Sequence, residues 1–200
     1  MPNDSASGGP LASAGAPAPL EGQALNDFLQ QWIVGITGLD GTMVRPRWQA
    51  EPANIPDSGV AWAALGITTR SADAFPAVVH DGTGEGTDQL QRHEQLTVLC
   101  SFYDTGVNGQ ADKLATLLRD GTAIAQNREI LTIAGMNLVS VGEAIAVPSL
   151  LKQTWLYRVD LPVVIRRIIL RSYAVLNVES AVGVLSADDG QTRAIQATAP

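Results

Sequence analysis

Positive charge is scarce in this 200-residue chain: 13 Lys and Arg stand against 20 Asp and Glu, and the only lysines are Lys113 and Lys152. A net charge of −7 leaves no polybasic patch to neutralise phosphates, which excludes a protein that wraps nucleic acid. The same acidity would suit a channel through which DNA must slide without sticking. Cysteine is scarcer still. The lone Cys100 can form no internal disulfide, which fits a reducing compartment or indifference to redox state. Long apolar runs are missing too: Arg166, Arg167 and Arg171 interrupt the best candidate well short of the ~18 residues a membrane helix needs. The start of the chain has no basic region followed by an apolar run, so no secretory signal is expected. These absences predict a soluble, cytoplasmically made protein without a membrane partner.

Motifs that carry chemistry are absent as well. Asp81-Gly82-Thr83-Gly84-Glu85-Gly86-Thr87-Asp88 has the glycines of a phosphate cradle, but it carries three acids and no lysine. It also precedes a strand pattern rather than opening a helix, so a hairpin loop is the reading. His80 and His93, the only histidines, lack the spacing of metal ligands and are expected to be solvated loop residues. No Gly-x-Ser-x-Gly elbow anchors a hydrolase triad. No two acids are placed by spacing to share general acid/base work. Cys100 lies on an apolar strand face, where a thiol behaves as a small hydrophobe rather than a nucleophile. No catalytic residue, cofactor or metal site is therefore assigned.

What the chain does have is periodicity. Leu25, Phe28, Leu29, Trp32, Ile33 and Ile36 form one helical stripe starting near Glu21, with a turn at Asp40-Gly41. Val44 to Trp48 is extended. Ala61, Ala63, Leu65 and Ile67 alternate with Trp62, Ala64 and Gly66, and Ala77 to His80 continues as strand. Leu96, Val98, Cys100 and Phe102 share a fully apolar face. Asn108 is placed to cap a second helix with Ala111, Leu114, Leu117 and Leu118 buried and Gly121 at its end. Met136 to Val141 is a further strand. The pattern predicts an α/β (α+β) fold with two main helices. Residues 1–20, mostly Ala, Gly, Pro and Ser, are expected to be a flexible tail, 21–186 a single domain and 187–200 a second tail.

Taken together, Trp32-Ile33-Val34-Gly35-Ile36-Thr37-Gly38-Leu39, Val44-Arg45-Pro46-Arg47-Trp48, Leu99-Cys100-Ser101-Phe102-Tyr103-Asp104, Leu118-Arg119-Asp120-Gly121, Gln126-Asn127-Arg128-Glu129 and Trp155 to Pro162 resemble the tailed-bacteriophage neck or tail terminator family. The resemblance covers about Leu25 to Gly183. It implies a virion structural protein and not an enzyme, with helices on a mostly antiparallel sheet. It also implies a ring, typically hexameric, that caps the tail tube and meets the head connector while DNA passes through. Assembly would take place in the host cytoplasm. Two other classes fit the same composition: another connector ring, such as a head-completion or stopper protein, and a cytoplasmic enzyme of unknown type.

The longest run of strand formers, Trp155 to Leu185, stands apart. Trp155, Tyr157, Val159, Leu161, Val163 and Ile165 form one apolar face opposite Arg158, Asp160 and Arg166. At Arg166-Arg167 the alternation breaks, and Ile168, Ile169 and Leu170 put apolar groups on both sides. A period of two then requires a bulge, a bend or a second contact surface, and Pro162 suggests an edge strand or bulge. The expectation is that Arg158, Asp160, Arg166 and Arg167 meet a neighbouring subunit, so that removing both Arg166 and Arg167 would impair assembly while leaving the monomer folded.

Overall fold

A computed structural model describes residues 3–14, 18–49, 56, 59–104, 109–147, 149–151, 154–178, 180–186, 188 and 190–198. The elements in order are α1 (Gly22–Thr37), β1 (Val44–Pro46), β2 (Trp62–Ala72), β3 (Ala77–Asp81), β4 (Thr87–Asp104), α2 (Gln110–Gly121), α3 (Ala125–Ile133), β5 (Met136–Val141), β6 (Ile145–Ala146), β7 (Ser149–Leu151), β8 (Thr154–Tyr173), β9 (Ser180–Ser186) and β10 (Thr192–Thr198). The class is the expected one, a mostly antiparallel sheet with helices. The chain packs as two units, one of Pro19–Pro76 and Arg92–Ile169, the other of Met1–Ala18, Ala77–Gln91 and Leu170–Pro200. The expected boundaries at residues 20 and 186 do not coincide with this division.

In the first unit the strand order is β1-β2-β4-β8-β5, with β6 and β7 also paired to β8. Only β1–β2 is parallel among the described registers. The inner face is built from Ala63 and Leu65 of β2, Leu96, Val98, Cys100 and Phe102 of β4, and Val159, Leu161, Val163 and Ile165 of β8. Leu25, Leu29, Trp32 and Ile33 of α1, Ala111, Leu114, Ala115 and Leu118 of α2, and Leu131 of α3 complete this core. Trp32 does not lose its polar atom to burial: its indole N–H donates to the Asn127 carbonyl at 2.8 Å, pinning α1 to α3. No described helix is long and apolar enough to cross a membrane.

Several expectations change here. Asn108 lies outside the described residues, and the residue at the start of α2 is Gly109, in the left-handed conformation at φ +64°. Leu117 faces solvent instead of the core, whereas Ala115 is buried. A third helix, α3, stands beside the two main helices expected. Its Ile124, Ile130 and Ile133 are exposed, which erases the amphipathic stripe by which a helix is read. Among the described registers the bulges lie in β2, against β4, and in β5, against β8. Thr68 is the extra residue of β2 and Val139 that of β5.

Pro162 is not on an edge, since β8 runs between β4 and β5. It sits where β5 ends opposite Val163 and β6 has yet to begin opposite Asp160. The strand therefore tolerates its missing N–H at a gap in the partner ladder. Its carbonyl accepts from Gly142 N at 2.8 Å, and a Cβ at Gly142 would lie 2.6 Å from the proline ring.

In the second unit β3 pairs with residues 87–91 of β4, closing the hairpin expected of the glycine-rich loop. Both histidines are on strands, His80 on β3 and His93 on β4, and not in a solvated loop. Residues 192–198, expected to be tail, form β10, antiparallel to β9. The turn between them includes Gly190 at φ +80°. The N-terminal segment bonds residues that follow or end β8: Ser5 N to Ala174 O at 3.0 Å and Ala14 N to Ser172 O at 2.8 Å.

Candidate subunit interface

The four residues expected at an interface part company in the structure. Burial along β8 alternates without interruption through Leu161, Val163, Ile165, Arg167 and Ile169. Arg167 therefore points inward with the core residues. Its side chain is 3% exposed, and its Nε and a terminal nitrogen each reach Glu94 at 2.6 Å. It also donates to Glu21 at 2.6 Å and to the Leu20 carbonyl. Arg70 completes the cluster, bonding the other Glu21 oxygen at 2.9 Å. Burial would raise the Glu21 carboxyl, but the hydrogen bonds from Arg167 and Arg70 outweigh it and hold the group below its ordinary value. Glu21 is the residue before α1, so this network staples the helix N-terminus to the sheet, with an acid where the helix dipole favours one.

Arg158 and Asp160 pair with each other, Arg158 Nε reaching Asp160 Oδ1 at 2.7 Å. They belong to a cluster on the outer face. Arg47 donates to the Ser101 hydroxyl, which in turn donates to Asp160. Burial alone would raise the Asp160 carboxyl; the bonds from Arg158 and Ser101 lower it further than burial lifts it. Trp62 stacks on Tyr103 with ring centroids 4.0 Å apart and planes 7° from parallel. Trp48 lies over Gly66, where a Cβ would come within 2.5 Å of its ring. Asp160 is thus a buried, satisfied carboxylate within one chain. Arg166 alone of the four is exposed, beside the half-exposed Ile168.

Sequence reasoning passed over an exposed apolar surface. β7 and the start of β8 form a hairpin in which Leu150 lies directly across from Trp155. These two side chains are 62% and 65% exposed, and Ile145 and Val147 just before them are also open to solvent. A soluble monomer gains nothing from a bare tryptophan and leucine side by side. A second apolar surface is a groove of about 280 Å³ between α1 and α3, lined by Phe28, Gln31, Trp32, Gly35, Ile36, Asn127 and Ile130. The signal for the hairpin was Trp155 itself, read as part of the apolar face of β8. Nothing in the spacing marks where that face leaves the helices that cover it.

The model of the phage neck terminator protein family matches residues 23–190. The chain belongs to that family. Its place is accordingly the neck of a phage particle, as a structural protein, and the match takes in residues of both units. No curated protein matches the chain. For this neck terminator the surfaces that matter are those that meet other virion proteins, which gives the bare hairpin its interest.

Proposed function

We propose that this neck terminator assembles into a ring, six-membered as the resemblance implies, that ends the tail tube and joins it to the head connector. The observation that carries the ring is the exposed Leu150–Trp155 pair in a family of neck proteins. A closed ring uses a heterologous contact, in which one patch of each copy meets a different patch of the next. The hairpin and the α1–α3 groove are two such patches of apolar character. In the sequence Lys152 is the sole charge between Glu143 and Arg158, and α3 bears the exposed Glu129 beside Ile130. Of the four residues first expected at the contact, Arg166 keeps that role in this reading. Arg158, Asp160 and Arg167 act by holding the subunit in shape.

A net charge of −7 per copy would make such a ring strongly anionic, and acids facing its lumen would let DNA pass without adhering. A lumen lined with arginine would contradict that part. The contact itself is tested with Leu150→Cys combined with Ile130→Cys under mild oxidation. The native thiol does not interfere, because Cys100 is buried and pushed up to about 12 by desolvation. Head-to-tail pairing predicts a ladder of covalent multimers from the double variant and none from either single one. Rings without a ladder would reject the hairpin-to-groove contact, and monomers at every concentration, with or without tail tubes, would reject the ring.

A further inference from the structure

His80 lies in the smaller unit and plays no part in the ring reading. Its two ring nitrogens face two acceptors: Nδ1 is 2.7 Å from Asp88 Oδ1 and Nε2 is 2.9 Å from Asn177 Oδ1. The direction of the Asn177 amide is fixed independently, because its Nδ2 donates to the carbonyls of Gly82 at 3.0 Å and Gly84 at 2.9 Å. Reversing it would set its oxygen against two carbonyl oxygens. The Asn177 backbone N–H also donates to the Glu85 carbonyl at 2.9 Å. Gly86, at φ +95°, permits this closeness: a Cβ there would stand 2.6 Å from Asn177 Oδ1 and 2.8 Å from the Val175 carbonyl.

A neutral imidazole has one N–H and cannot donate to both acceptors, whereas an imidazolium has two. We infer that protonated His80 is a latch that clamps the β3–β4 loop to the segment following β8, and that loss of one proton opens it. The charged groups acting on the ring are Asp88, on β4, and Asp81, its neighbour on β3, and both favour the charged form. The direction agrees: the hydrogen bond to Asp88, then that to Asn177, raises His80 above its ordinary 6.5. A raised value means the clamp is complete below the unfolded value and is lost as pH rises through the folded one.

A pH titration of the intact chain, followed through the ring nuclei of its two histidines, tests this without any substitution. The His80 midpoint is expected above 6.5, with the amide signals of Gly84, Gly86 and Asn177 moving at the same midpoint. Hydrogen exchange of residues 82–86 should then accelerate across that pH more than exchange of matched exposed amides. Asn177→Ala, checked for folding by circular dichroism, should lower the midpoint. A His80 midpoint at or below 6.5, or loop amides that ignore it, would overturn the latch. A merely structural histidine would leave the loop signals flat.

Discussion

Arg167 shows how one side chain can set the entry of a helix. It is a buried guanidinium whose two carboxylate partners come from β4 and from the residue before α1. Removing it strands Glu94 without its closest cation, and breaking a buried pair from one side costs about 3–5 kcal/mol. Arg167→Ala should therefore lower urea stability by several kcal/mol, whereas Arg166→Ala should stay within about 0.5 kcal/mol of the parent. Equal and small effects would show that Arg167 is no staple. Asp160 makes a complementary case in acid. Its folded value lies below the ordinary 3.8, so its contribution is present above the unfolded value and is lost as pH falls through the folded one. Asp160→Asn should flatten that part of the acid-unfolding curve. A parallel, merely displaced curve would contradict the assignment.

Among the elements, α1 and α2 meet where Gly121 approaches Ile36, and a Cβ on Gly121 would come within 2.2 Å of the Ile36 methyl. Alanine in a helix is worth up to about 1 kcal/mol over glycine, while overpacking costs about 1–3 kcal/mol. The second effect wins, so Gly121→Ala should destabilise, as thermal melting would reveal. A gain in Tm would mean that Ile36 yields freely.

The elements also show what was legible in advance. The α1 stripe and the apolar face of β4 could be read directly, because period and burial coincide there: Leu25, Leu29, Trp32 and Ile33 are buried, as are Leu96, Val98, Cys100 and Phe102. Arg167 was misread because a charge on a strand ordinarily faces water. Its partner Glu94 is 73 residues away in the chain, beyond any local pattern. The same locality explains α3, whose isoleucines face outward, and the bulges, which lie in β2 and β5 while β8 keeps its alternation. For the candidate site, only Arg166 of the four residues stands on the surface. The Leu150–Trp155 pair escaped because exposure is a property of what covers a strand, not of the strand.

At the scale of the whole molecule this is an acidic subunit with a bare apolar hairpin at Leu150 and Trp155. Acidic surfaces repel one another, so association needs a local apolar contact strong enough to overcome that field, and burying Trp155 and Leu150 supplies about 1.5–3 kcal/mol for the aliphatic side chain and at least as much for the aromatic one. Trp155→Ser with Leu150→Ser should yield a folded subunit that fails to join a ring, read by light scattering beside circular dichroism. The central claim is the position of that ring. Labelling this chain in assembled particles and locating the label by electron microscopy tests it most directly. The account predicts one ring of label at the junction of head and tail; label elsewhere on the particle, or particles that complete their necks without the chain, would contradict it.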